Sequence, residues 1–193
     1  VQNLTTGANG RVRGVIDVSS DGRFVAFDSY ASNLVTGDTN GVADVFVLDR
    51  RTGSIRRVSR GGNGESYEPS ISDDGRFVTF RSSASNLVAG DDNGRADTFI
   101  ADLMTGEIRR YVQHDPHVPG QISGYTAFAE LSGDGRTVAF ASSVSDLVRG
   151  DTNGTYDIFL DSTWQPRTTA DFNRDGTSDI LLQGAGAVAQ WFM

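Results

Sequence analysis

Residues 19–59 read SSDGRFVAFDSYASNLVTGDTNGVADVFVLDRRTGSIRRVS, and the chain repeats this stretch twice more. The second copy, DDGRFVTFRSSASNLVAGDDNGRADTFIADLMTGEIRRYV, begins at residue 73. The third, GDGRTVAFASSVSDLVRGDTNGTYDIFLDS, begins at residue 133. A self-similar unit of roughly 50–60 residues is typical of an array in which each unit is one supersecondary structure. The repeat therefore decides the architecture.

Strand and turn signals follow the same order in each copy. Two-residue hairpin turns are predicted at the Asp-Gly pairs that begin at residues 21, 74 and 134. Apolar strands are predicted at residues 24–27, 77–80 and 137–140, and again at 45–48, 98–101 and 158–160. The first two copies add a fourth strand, at residues 54–58 and 107–112. Successive residues are apolar in the second and third strands, so both sheet faces must be covered, which the blades of a β-propeller achieve.

The motifs of the repeat make the propeller prediction specific. They are S-x-DGR-x-VAF, SNLV-x-GDTNG-x-x-D-x-F and D-x-x-TG-x-IRR, and they resemble the TolB-type, WD40-like propeller repeat of bacteria over about residues 11–161. After residue 161 the pattern changes. The stretch TADFNRDGTSDILLQGAGAVAQWFM, within residues 164–193, resembles the FG-GAP repeat of integrin α-chain type. Both resemblances imply an all-β propeller.

The blades are predicted to form one domain over residues 1–193, with repeats at about residues 11–60, 65–113, 122–162 and 164–193. The last repeat lacks one strand. The amino-terminal VQNLTTGANG aligns with IRRVSRGGNG at residues 55–64, so residues 1–6 are predicted to complete a fourth blade. This strand can close the ring within one chain or join a neighbouring copy and allow self-association. A piece of a longer propeller is the third alternative.

Composition excludes several classes of protein. The net charge is −8, which argues against nucleic acid and anionic membrane partners and favours cations. The absence of cysteine excludes disulfides and zinc–thiolate sites. No apolar run approaches the roughly 18 residues of a membrane helix, and residues 1–10 lack the pattern of a signal peptide. We therefore expect a soluble mature chain or a fragment that does not insert into membranes.

A calcium loop is predicted in the last repeat. Oxygen-bearing side chains stand at alternate positions of Asp171-x-Asn173-x-Asp175-Gly176-Thr177-x-Asp179, as in an EF-hand loop, although Leu182 replaces the bidentate glutamate. The FG-GAP resemblance implies that five of these residues bind Ca²⁺. An Asx-rich turn that bonds only to backbone N–H groups is the alternative. The implied ligands are Asp171, Asn173, Asp175, Thr177 and Asp179.

Shorter acidic loops occur in the three repeats, each with two carboxylates and an amide. Such a loop can hold Ca²⁺ if backbone carbonyls and water complete the coordination, or it can fix a wide turn by accepting backbone N–H bonds. We favour the structural role. The residues concerned are Asp38, Asn40, Asp44, Asp91, Asn93, Asp97, Asp151, Asn153 and Asp157.

Other candidate groups receive structural interpretations. The arginine pairs at residues 56–57 and 109–110 are predicted to form ion pairs beside Asp49 and Asp102. His114 and His117 lie in an insertion that is predicted to be an exposed loop, where partner specificity can reside. No catalytic residue is assigned, because the repeated serines lack the histidine or G-x-S-x-G context of a nucleophilic triad.

Three functions are compatible with these features. The first is a non-catalytic, calcium-stabilised binding or scaffold propeller, extracellular or periplasmic in a bacterium, with a protein or glycan ligand. The second is a subunit of an extracellular fibre assembled by strand exchange between chains. The third is a carboxylate-based carbohydrate-active enzyme, with candidate acids Asp17, Asp28 and Glu130.

Overall fold

All regular structure in the described part of the chain is β-strand. The computed structural model describes residues 1–91, 94–111, 126–143, 155–162, 180–184 and 187–191. Among these residues no helix is long and apolar enough to span a lipid bilayer. The all-β prediction is confirmed.

The first two repeats form two four-stranded antiparallel sheets, with the strands of each in chain order. Blade 1 contains β1 (Val12–Val18), β2 (Phe24–Ser29), β3 (Asp44–Asp49) and β4 (Ser54–Arg57). Blade 2 contains β5 (Ser66–Ile71), β6 (Phe77–Ser82), β7 (Asp97–Asp102) and β8 (Ile108–Arg110). These sheets are the predicted propeller blades.

The third repeat forms a three-stranded antiparallel sheet, which we call blade 3. It contains β9 (Thr126–Leu131), β10 (Val138–Ser142) and β11 (Asp157–Asp161). The last repeat contributes β12 (Ile180–Gly184) and β13 (Ala187–Trp191), which pair antiparallel with each other.

The Asp-Gly turns form what we call the corners of the blades. At the first corner the Ser19 N–H donates to the Phe24 carbonyl at 3.0 Å, and the Asp21 carboxylate accepts the Arg23 N–H at 2.9 Å. Five residues, 19–23, therefore separate the two strands. The predicted two-residue turn is wrong because the serine and aspartate side chains stabilise the wider loop. The same bonds recur at residues 72–77 and 132–137.

Neighbouring blades pack through equivalent contacts. The Phe24 ring lies on Gly75 at the next corner, and the Phe77 ring lies on Gly135 at the corner after that. The Asp17 carboxylate of β1 accepts the Ile71 N–H of β5 at 2.7 Å. Apolar side chains from both blades then form a shared core between blades 1 and 2, whose buried members are Ala26, Val45, Val47, Val58, Ile71, Val78, Phe80, Phe99 and Ala101.

The amino-terminal segment differs from its prediction. Residues 1–6 are not in a strand, because the Asn3 side chain accepts the Thr5 N–H at 3.1 Å and turns the chain locally. The alignment with residues 55–64 nevertheless agrees with the packing of one side chain. Leu4 packs on the blade 1 core, and the aligned Val58 belongs to the core shared by blades 1 and 2.

Asparagine side chains then repeat one linker contact, which we call the Asn clamp. In blade 1 the Asn9 carboxamide donates to the Ser32 hydroxyl and accepts the Ser32 N–H, while the Asn9 backbone N–H donates to the Asn33 side chain. In blade 2 the Asn63 carboxamide bonds in the same way to Ser85, and the Asn63 backbone N–H donates to the Asn86 side chain.

Candidate functional site

The acidic loop of blade 1 holds an arginine between its carboxylates. The Arg57 guanidinium lies 2.9 Å from the Asp38 carboxylate and 3.3 Å from that of Asp44. The Asn40 amide and the Ser59 hydroxyl donate to Asp44 at 2.9 and 2.6 Å. Burial, reinforced by the nearby Asp44, raises the pKa of Asp38, against the opposing effect of Arg57. The structure thus brings the three predicted residues of this loop together around a guanidinium.

The acidic loop of blade 2 repeats this arrangement. The Arg110 guanidinium lies 3.1 Å from Asp91 and 3.5 Å from Asp97. Burial and the neighbouring Asp97 raise the pKa of Asp91. Asn93 lies outside the described residues. Of the blade 3 loop, Asp157 is described, at the start of β11, whereas Asp151 and Asn153 are not.

Other predicted sites fall outside the described part of the chain. These are the calcium loop at residues 171–179 and the two histidines at residues 114 and 117. Within the described ranges no three acidic or histidine side chains are grouped so that they could hold a metal ion.

The predicted arginine partners of two aspartates are wrong. Asp49 pairs with Arg23 at 2.7 Å, and Asp102 pairs with Arg76 at 2.8 Å. The cause is strand register, because Phe24 faces Asp49 and Phe77 faces Asp102 across the sheet, which places the arginine of each DGR corner beside them. Arg57 of β4 and Arg110 of β8 are thereby left to pair with the acidic loops.

Charged side chains gather at the end of blades 1 and 2 that lies opposite the corners. The second strands read FVAFDS, FVTFRS and TVAFAS from residues 24, 77 and 137. Their fifth positions are therefore Asp28, Arg81 and Ala141, which are only 1%, 5% and 7% exposed. The same core position holds an acid, a base and an alanine in successive blades. We call the group around the first two the charged cluster; it comprises Arg13, Asp28, Tyr30, Glu65, Tyr67, Glu68 and Arg81.

Arg13 links the two blades in this cluster. From β1 its guanidinium lies 3.3 Å from the Asp28 carboxylate and 3.0 Å from the Glu65 carboxylate next to blade 2. The Tyr30 hydroxyl also donates to Glu65, at 3.0 Å. The Arg13 guanidinium stacks over the rings of Tyr30 and Tyr67, at 5.7 and 5.0 Å from their centres.

Arg81 is the buried base of the cluster. Its guanidinium lies 3.4 Å from the Glu68 carboxylate. It also stacks over the Tyr67 ring, which Arg13 contacts too, at 5.2 Å from the ring centre. Glu68 itself has a positive φ of 55° within an irregularity of β5. A non-glycine residue in this conformation is strained, and such residues cluster at ligand sites.

Asp28 is a buried acid with a raised pKa. Burial raises its pKa to about 6, with help from the negative charges of Glu68 and Glu65 and against the attraction of Arg13. Neither of its carboxylate oxygens accepts a hydrogen bond from any described group, since the Arg13 contact is not aligned as one. A buried acceptor without a donor is unfavourable. The two Asp28 oxygens therefore remain able to accept hydrogen bonds.

The other acids that the sequence offered as catalytic candidates have different settings. Asp17 accepts hydrogen bonds from Ser70 and Ile71 and so joins blade 1 to blade 2. Glu130 is exposed on β9. Only Asp28 belongs to the charged cluster. Sequence reasoning missed the cluster. Its signal is the difference between residues 28, 81 and 141, which occupy the same position of the repeat.

Comparisons with known proteins found resemblance only at the level of structure. No protein-family model matches the chain, and no curated protein matches it. Among solved structures, the chain is similar to TolB from Acinetobacter baumannii, with 20% identity over 94% of this chain and a TM-score of 0.46. It is also similar to a protein assigned as TolB from Agrobacterium tumefaciens, with 18% identity over 98% of this chain and a TM-score of 0.48.

A third similar structure is an oligogalacturonate lyase in complex with manganese, with 13% identity over 82% of this chain and 37% of the lyase, and a TM-score of 0.43. The chain spans 32% and 51% of the two TolB proteins. Similarity at such low sequence identity bears on the fold alone.

Proposed function

We propose that this chain is a non-catalytic binding or scaffold module, built on propeller blades, stabilised by Ca²⁺ and acting in the periplasm or outside a bacterial cell. The charged cluster is the observation that carries the binding role. Burying Asp28 and Arg81 is unfavourable for folding, and Ala141 shows that the position accepts an apolar residue. Such a cost is easier to explain if the cluster recognises a ligand.

Calcium stabilisation rests on the oxygen-rich loop at residues 171–179, whose spacing resembles an FG-GAP loop. Millimolar calcium outside the cytosol is sufficient to fill weak acidic loops. The net charge of −8 also favours cation binding.

Thermal unfolding with and without calcium tests this proposal. EDTA should lower the melting temperature and the resistance to proteases, and Ca²⁺, but not an equal concentration of Mg²⁺, should restore them. Asp171→Ala should reproduce the EDTA effect in the presence of calcium. The same measurement on Asp38→Asn tests whether the shorter acidic loops of the repeats contribute to the calcium effect. Unchanged unfolding in EDTA, together with no calcium binding by calorimetry, would refute the calcium part.

Exposed apolar side chains on blades 1 and 3 favour a second function, that of a subunit assembling with other copies into a fibre. Ile158 and Leu160 of blade 3 are 80% and 72% exposed, whereas Val45 and Val47 at the same positions of blade 1 are buried against blade 2. Ile16 and Val18 of β1 in blade 1 are also exposed. Copies stacked head to tail would bury these side chains as the internal junctions do.

Sedimentation velocity across a range of protein concentrations tests this second function. Leu160→Asp should convert assemblies to single chains. Met104→Asp is the matched control, because Met104 is also 72% exposed but lies at the corner end of blade 2. A wild-type protein that stays a single chain at high concentration would exclude assembly.

A further inference from the structure

The charged cluster already shows which chemical group it accommodates. Its two tyrosine rings contact guanidinium groups: Tyr30 contacts those of Arg11 and Arg13, and Tyr67 contacts those of Arg13 and Arg81, all within 5.7 Å of the ring centres. Arg13 and Arg81 also meet carboxylates of the cluster. Aromatic faces and carboxylates together form the usual environment of a bound cation.

Asp28 supplies the unused binding capacity. Its side chain is buried, both of its oxygens lack a hydrogen bond from the described residues, and Arg13 only approaches one of them, at 3.3 Å. A planar guanidinium or an ammonium group aligned with these oxygens would provide the missing N–H donors. Such charge-assisted bonds are about twice as strong as neutral ones.

Arg13 is placed so that a ligand can displace it. Its side chain is 33% exposed, and its partner Glu65 is 40% exposed, whereas the Arg81 side chain is 6% exposed. Arginine reaches its partners through a long flexible stem, so the head group can move into solvent at low cost. The exposed side of the cluster, at Arg13 and Glu65, is therefore its entrance.

Other ligand classes fit less well. An anion would have to compete with the carboxylates that already pair with Arg13 and Arg81. A sugar ring normally stacks on an aromatic face, but guanidinium groups already lie over Tyr30 and Tyr67. The net charge of −8 also attracts cations to the protein.

From these contacts we infer that the charged cluster receives an arginine or lysine side chain from a basic segment of a partner protein, with Arg13 standing in for it when no partner is bound. Asp28 is the principal acceptor, Glu65 and Glu68 surround the incoming charge, and Tyr67 provides the ring. This inference rests on the proposed binding function and names its ligand class.

A capped Gly-Arg-Gly peptide is the probe, titrated by NMR or calorimetry at low salt into the full chain in the presence of calcium. Arg13→Ala vacates the place of the ligand group and should bind the probe at least about tenfold more tightly than the wild type, the ratio that one additional charge-assisted bond gives. Arg13→Lys keeps a cation in place and should bind like the wild type. Adding Asp28→Asn to Arg13→Ala should remove the gain.

Two controls keep the experiment decisive. Arg57→Ala removes the arginine of a carboxylate pair in which Asp44 keeps the hydrogen bonds from Asn40 and Ser59, and it should not create a comparable site. If Arg13→Ala fails to fold, Arg13→Gln carries the same comparison with a neutral side chain.

Failure has a clear form. Absence of Asp28-dependent binding in both the wild type and the Arg13 variants would overturn the inference. Preferential binding of a capped Gly-Glu-Gly peptide would overturn the ligand class and still leave a binding module. The EDTA experiment measures the calcium-stabilised scaffold independently of either result.

Discussion

The two ends of each blade follow different rules. At the corners, the three copies keep the same serine, aspartate, glycine and arginine, and the same hydrogen bonds recur in all of them. At the opposite end, the equivalent core position changes from Asp28 to Arg81 to Ala141. The corner end fixes how one blade meets the next, so every copy needs it, whereas the opposite end can differ between blades and so can specialise.

The largest loss of stability is expected from a substitution at a corner glycine. Gly75→Ala should destabilise the protein by about 3 kcal/mol, because φ is +71° and the new methyl group would lie 2.1 Å from the Phe24 ring of blade 1. Gly22→Ala should lose only about 1 kcal/mol, since it has the same backbone strain but nothing nearer than Arg50 at 3.5 Å. Urea unfolding measures both. Equal losses would show that packing between blades does not act through the corners.

The next largest change in stability is expected at Asp28, where a substitution should stabilise the protein. Because its pKa in the folded protein is about 6, above the ordinary value of 3.8, its contribution to stability is full at low pH and is lost as the pH rises through 6. Asp28→Asn should therefore raise the unfolding free energy at pH 7 by about 2 kcal/mol and flatten its change between pH 4 and pH 7. A less stable Asp28→Asn variant with an unchanged pH profile would contradict a buried, disfavoured charge.

The smallest effect is expected at a corner ion pair. Burial would raise the pKa of Asp102, but hydrogen bonds from Arg76 and from the Met104 and Thr105 N–H groups lower it. The pair therefore stabilises the fold above the ordinary pKa, and this contribution is lost as the pH falls through the lowered value. Arg76→Ala should lose about 1 kcal/mol at pH 7 and less at pH 3. Arg51→Ala, an exposed neighbour of the first corner, is the control and should change little.

Strand positions could be predicted because they depend on local pattern. The apolar run at residues 45–48 lies inside β3, and that at 98–101 lies inside β7. The termini show where local pattern fails. Residues 1–6 align with the fourth strand of a blade, yet Asn3 forms a turn that competes with strand pairing. A strand at the edge of a sheet depends on its partner, which alignment alone does not provide.

Side-chain partners were harder to predict for the same reason. Arg23 meets Asp49 only because of the register between β2 and β3, since a shift of one strand by one residue would place the two side chains on opposite faces of the sheet. The charged cluster joins residues that are far apart in sequence, such as Arg13 and Glu65. Its sequence signal was a difference between copies, whereas the motifs that identified the fold were similarities.

The Asn clamp has a consequence for how such a chain can grow. Asn9 and Asn63 each attach the segment before a blade to that blade's own long loop, so each clamp lies within one repeat. A gene segment cut between residues 60 and 61 would therefore carry its own Asn clamp. Duplication at that point would lengthen the array without breaking a clamp, and the new copy could still differ from the others at its variable end, as residues 28, 81 and 141 do.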